Sequence, residues 1–244
     1  FFMHSVGSQA AQLEAIASAE SVDDLFARLE AAGVLLRIDT SVRPQMFHGA
    51  TISQLELEQL RRIKNIVRMG RVQSIGTDEI VLEHGRIATS RANLHIDCSA
   101  SAISNLSMKP VFAGNVITPQ TVRSYQPVFS AAFIAHVEAA YDSDDVKNDI
   151  CGVVPLPNHD TDWLRMMAAF MRNQYRWSQD EELRAWLLGN RLDGFSRFVR
   201  ETPKEDADKQ AVLKRLRNAM MPAANKLPEL LAEIAPPARR KEHA

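Results

Sequence analysis

Apolar positions change their period twice along this chain. From residue 8 to 32 they fall three and four apart, with Leu13 and Ile16 followed by Leu25, Phe26 and Leu29. That spacing predicts helix, in two pieces. Ser21 with Asp24 three residues on resembles a capping box, and Gly33 stands where a helix end favours a left-handed residue. Residues 34–39 read as a short strand and 44–49 as a loop. Ser53 and Glu56 frame a second capping box that opens a helix over 54–63. From Asn65 to Cys98 the chain is rich in β-branched residues, with Gly70, Gly76 and Gly85 between them. This texture predicts a strand meander. The turn at 83–86 makes a hairpin, and a last strand runs through Leu94, Ile96 and Cys98.

Beyond Pro127 the helical period returns. Residues 128–141 are apolar on most faces, which predicts a buried helix. Pro155 and Pro157 interrupt the chain before a helix that Asp160 or Thr161 caps, with Trp163, Met167, Phe170 and Met171 turned inward. Helix continues through 180–199. Two further helices are expected over 204–220 and 225–234, each containing or preceding a proline. A short strand fits 111–118. The fold class is therefore α+β or α/β. Its parts are a helical segment with a short strand over 1–64, a β meander with a loop over 65–126, a helical region over 127–235 and a flexible tail over 236–244.

Composition narrows the function classes. The chain has 244 residues, 45% of them hydrophobic and 24% charged, which is ordinary for a globular protein. A net charge of -1 gives no global attraction to nucleic acid or to an anionic membrane. No apolar run approaches the roughly 20 residues that span a bilayer, and no signal peptide is evident. Two cysteines, Cys98 and Cys151, form neither a disulfide framework nor a metal motif, so a cytoplasmic setting is expected. The start at Phe1, without an initiator methionine, fits a piece of a longer protein.

Few side-chain groupings suggest chemistry. No G-x-G-x-x-G and no Walker loop occur, so the chain has no phosphate cradle of its own. His95, Asp97 and Cys98 are ligand types, but on a strand Cys98 points away from the other two, and no second pair completes a metal site. Ser130, His136 and Glu138 lack a nucleophile elbow, and a hydrolase using Ser130 or Cys151 ranks low. His159 and Asp160 read as loop and helix cap. The arginines of 60–71 lack an aromatic platform for nucleic acid. Trp163, Trp177 and Trp186 read as packing residues.

What stands out is the stretch ANLHIDCSASAIS, residues 92–104, where an apolar strand ends in side chains of minimal size. A β meander followed by this strand resembles the return strand of the two-dinucleotide-binding-domain flavoproteins, the FAD- and NAD(P)-dependent oxidoreductases that include flavin monooxygenase-like enzymes. In that family the strand ends in an Asp-Ala-Thr-Gly-like turn against the cofactor. Asp97, Cys98, Ser99 and Ala100 match its four positions, with Ala100 where the family usually has Gly. Residues 111–141 also resemble the C-terminal part of uncharacterised bacterial proteins of this kind.

The resemblance covers roughly Gly70 to Tyr141. It implies a small β meander of an FAD/NAD(P)-binding fold and a part of a flavin-dependent, NAD(P)-linked oxidoreductase without its N-terminal fingerprint. FAD and NAD(P)H are the implied cofactors, and the implied cofactor-binding residues are Asp97, Cys98, Ser99 and Ala100, then Gln120, Thr121 and Arg123. The expected partner is a small-molecule substrate, with neither nucleic acid nor membrane; a homo-oligomer stays open. The competing reading is a non-catalytic, helix-rich protein-interaction module, in which the small residues after Cys98 are strand-end packing.

Overall fold

Two local capping signals start the fold where the sequence places them. In a computed structural model that describes residues 2–47, 49–99 and 107–234, α1 (Phe2–Ser18) is followed by α2 (Val22–Ala31), whose N-cap Ser21 accepts from the Asp24 amide at 3.1 Å. Gly33, at φ 68°, ends that helix. α3 (Gln54–Leu60) carries the complete Ser53/Glu56 capping box. Next come β1 (Val72–Ile75), β2 (Glu79–Leu82) and β3 (Gly85–Ala88), then β4 (Phe112–Ala113) and β5 (Val116–Ile117). The remaining helices are α4 (Pro127–Ala140), α5 (Asp144–Ile150), α6 (Asp162–Ser178), α7 (Glu181–Gly189), α8 (Gly194–Arg200) and α9 (Ala207–Glu233). All strand pairs among the described residues are antiparallel, so the class is α+β.

The chain divides into two compact units, residues 52–107 and residues 1–51 with 108–244. The larger unit is helical and holds two apolar clusters. One gathers Val6, Ala10, Leu13 and Ile16 of α1, Leu25 and Leu29 of α2, Trp163 and Leu164 of α6, and Leu213, Leu216, Ala223 and Leu230 of α9. Those α9 residues recur three and seven apart, one stripe of a helix. Arg215 of α9 clamps Glu14 of α1 through Nε at 2.8 Å and a terminal nitrogen at 2.6 Å. The second cluster gathers Phe129, Phe133 and Val137 of α4, Ile150 and Cys151, Trp177 of α6, and Leu183 and Leu187 of α7.

Four expectations are corrected. The chain over 204–234 forms one helix of 27 residues, not two, with Pro222 and Pro228 inside it. Each proline removes a backbone bond at a cost of ~3 kcal/mol in an isolated helix, but the stripe buried on both sides of them carries the helix through. Residues 34–39 form no strand. α4 buries one face only: Phe129, Phe133, Ile134 and Val137 point inward while alanines cover the outer face, where their small size costs little. Lastly, residues 94–99 have no regular secondary structure, and the expected last strand of the meander is unpaired.

The smaller unit holds that meander. β2 and β3 pair from Glu79↔Ala88 to Leu82↔Gly85 around a two-residue turn, as the sequence predicts. β1 pairs with β2 through a bulge between Val72 and Ser74. Gly70 sits at φ 79°, a conformation that favours glycine, and Gly85 lies close to Met69. A Cβ on the first would collide with the Glu83 side chain and on the second with the Met69 sulfur.

Candidate functional site

The segment from Gln120 to Phe129, a loop that runs into the start of α4, is closely tied to the helical unit. Backbone and side-chain bonds hold it on both sides. Thr121 accepts at its carbonyl from the Val154 amide at 2.7 Å. Asn173, fully buried on α6, donates Nδ2 to the carbonyls of Val122 at 2.9 Å and Gly152 at 2.6 Å. Gly152 must be glycine here, because a Cβ would run into the Asn173 amide. The Val122 amide donates to Ser130 Oγ at 3.2 Å, and that hydroxyl donates onward to the Gln126 carbonyl at 2.8 Å.

These restraints deliver Arg123 into the interior, where only 5% of it is exposed. Its Nη1 donates to Asp193 Oδ1 at 3.0 Å, and its guanidinium carbon lies 3.8 Å over the Phe129 ring and 5.3 Å from that of Trp177. Nε is buried and has no hydrogen-bond partner. Burial pulls the guanidinium below its ordinary value, and the Asp193 carboxylate opposes that pull. Asp193 also caps α8, accepting from the Ser196 amide at 3.4 Å and its hydroxyl at 2.6 Å.

Tyr125 follows at φ 55°, a left-handed conformation costly for a bulky side chain. Its phenol fills the space that a Cβ on Gly49 would occupy. Arg123, Tyr125 and Phe129 wall a cleft of about 430 Å³ together with Phe2, Val6 and Phe198. That volume lies within the ~300–1,000 Å³ of small-molecule sites. Sequence reasoning selected Arg123 for its place in a polar loop. It missed Tyr125, whose backbone has no sequence signal, and Asp193, which lies 70 positions away.

The other candidate residues are differently placed. Gln120 donates its side-chain amide to the Lys109 carbonyl and so fastens the loop. In the smaller unit Asp97, Cys98 and Ser99 are exposed. Asp97 Oδ1 accepts from the Ser99 amide at 2.8 Å and from its hydroxyl at 2.6 Å, closing a small turn, and these bonds hold the carboxyl below its ordinary value. Ala100 lies outside the described residues. Just before the turn Leu94 is 85% and Ile96 75% exposed, with His95 between them bonded to Thr89 Oγ1 at 2.9 Å.

Hydrolytic candidates are committed elsewhere. Ser130 is buried in the bonds above, His136 stacks on Trp186 at 4.5 Å, and Glu138 pairs with Lys147 at 2.6 Å. Burial pushes the Cys151 thiol up to about 12, which leaves it inert. Among the described residues no group of three or more His, Cys, Asp or Glu is placed to hold a metal ion. No helix among them is long and apolar enough to cross a membrane.

An uncharacterised protein of Mycobacterium tuberculosis is 46% identical to this chain over 224 residues, covering 92% of the chain and 42% of the relative. A Mycobacterium bovis protein, also uncharacterised, matches to the same extent. The chain therefore spans less than half the length of these curated relatives. No protein-family model matches it. No solved structure matches it.

Proposed function

We propose that this chain is the C-terminal portion of a cytoplasmic, FAD- and NAD(P)-dependent oxidoreductase of the monooxygenase-like kind. One observation carries the reading. Directly after an antiparallel meander, Leu94, Ile96 and Cys98 alternate as a strand would, yet they lie exposed and unpaired before a turn of small residues. An apolar alternation of this kind is stable as a strand only between sheet neighbours. The mycobacterial relatives have more than twice the length in which to supply those neighbours.

The turn suits a cofactor in its chemistry. Asp97 draws the Ser99 hydroxyl back onto the turn, and the side chains of Cys98 and Ser99 are small. Ala100 continues the run of small groups. Gln120 and Thr121 fasten the loop that carries Arg123, whose guanidinium is turned into the helical unit against Asp193. A bound flavin would accept hydride from reduced nicotinamide and carry out the redox step. The protein's part is to hold it, orient it and exclude water.

The test is the visible spectrum of the full-length Mycobacterium tuberculosis relative, purified without added cofactor. Flavin absorption near ~450 nm is expected, from the cofactor's own chromophore. A colourless protein that also fails to take up added FAD would overturn the proposal. The exposed apolar stretch would then fit the interaction-module reading. In the intact flavoprotein Ala100→Leu should lose flavin with the fold retained.

A further inference from the structure

We infer that the cleft beside Arg123 binds a small organic monocarboxylate with an apolar body of about the size of an aromatic ring, the carboxylate being taken by Arg123. The inference concerns the helical unit alone and stands whether or not a flavin binds elsewhere.

The walls set the shape of the ligand. Phe2 and Val6 of α1, Phe129 of α4 and Phe195 and Phe198 of α8 give the cleft an apolar side, with Ser5, Gln9 and Gln126 among its polar walls, and its volume of about 430 Å³ accommodates a ring with a short side chain. Arg123 gives it a cation. A guanidinium has five N–H donors in a fixed fork, and this one makes a single hydrogen bond, through Nη1 to Asp193. Its Nε is buried without an acceptor. That nitrogen is sealed from the cleft, so a carboxylate would be taken at the terminal nitrogens, where a planar acceptor matches the guanidinium fork.

Two further features favour an anion. Gln126, the N-cap of α4, makes no side-chain cap bond. The Ser130 amide is bonded back to Gln126, and Gln126, Pro127, Val128 and Phe129 of the helix start line the cleft. That end of a 14-residue helix carries the positive pole of its dipole. The charge balance limits the anion to a single charge, because Asp193 already offsets part of the Arg123 cation. A phosphate dianion would leave an excess negative charge beside the Asp193 carboxylate, which also lines the cleft. Tyr125, held at positive φ at the rim, is the kind of backbone strain that accumulates at ligand sites.

Trp177 lies close enough to the guanidinium for its fluorescence to report binding. The chain is titrated with phenylacetate and, in parallel, with the neutral isostere phenylacetamide. Phenylacetate should saturate the signal, with the amide at least about tenfold weaker. Paired replacement of Arg123→Met and Asp193→Asn removes both charges together and should abolish the preference while circular dichroism is unchanged. Ser5→Trp, which fills the cleft and leaves Arg123 in place, should abolish both titrations. Saturation by neither compound, equal affinity for both, or unchanged affinity in Ser5→Trp would each overturn the inference. If the paired variant does not fold, the amide comparison and Ser5→Trp still decide.

Discussion

The helical unit and the meander unit bury their apolar residues very differently. In the first, two clusters enclose aromatic and aliphatic side chains from seven of its eight described helices, and Phe133 and Trp177 meet with ring centroids 4.4 Å apart. In the second, β1 is exposed along its whole length, and Leu57 and Leu82 are the buried hydrophobic residues among those described. A unit with so few buried side chains gains little from the hydrophobic effect, and a small open sheet is marginal by itself. The helical unit thus has a core of its own, while the meander carries apolar strand positions still uncovered. That contrast is the physical basis for reading residues 93–99 as part of a larger sheet.

The contrast breaks most sharply at Phe133. Phe133→Ala should destabilise the helical unit by about 3–5 kcal/mol, measured by urea unfolding. A much smaller loss would mean that the aromatic cluster is loosely packed. Next is Asn173→Ala, which leaves the carbonyls of Val122 and Gly152 without their shared donor. With each bond worth about 1 kcal/mol, a loss of about 2 kcal/mol is expected. Trp177 fluorescence should also show a loosened 120–126 loop.

Smaller still is a pH effect. Burial holds His136 below its ordinary value of 6.5 against the pull of Asp180 and Glu182. As pH falls below that value the unfolded chain takes up the proton first, so stability declines from there toward the lower folded value. Thermal melts of His136→Gln should lack that part of the decline. Smallest is Ile96→Lys. In the chain by itself it should change stability by no more than about 0.5 kcal/mol, as for an exposed site. A large loss would mean that Ile96 is covered in solution.

Local signals were readable in the sequence because their physics is local. The Ser21 and Ser53 caps, Gly33 at a helix end and the turn at 83–86 each depend on residues within a few positions. Signals that depend on distant partners were not. Pro222 and Pro228 suggest a break, and only the seam against α1 shows why the helix continues. The pattern of 128–141, apolar on most faces, suggests a buried helix, since an alanine's direction is invisible without its neighbours. At the candidate cleft, the loop position of Arg123 was legible. Its pairing with Asp193 and the left-handed Tyr125 were not, because both arise from chain segments brought together only by folding.

The alternation at Leu94, Ile96 and Cys98 was legible as a strand pattern, although the structure leaves it unpaired. Amide hydrogen exchange tests that directly, comparing residues 93–99 of this chain with the corresponding stretch of the full-length mycobacterial relative. The account predicts rapid exchange here, beside protected amides in α1 and α9, and strong protection in the relative. Rapid exchange in both proteins would contradict the claim that this stretch is a strand of a larger sheet.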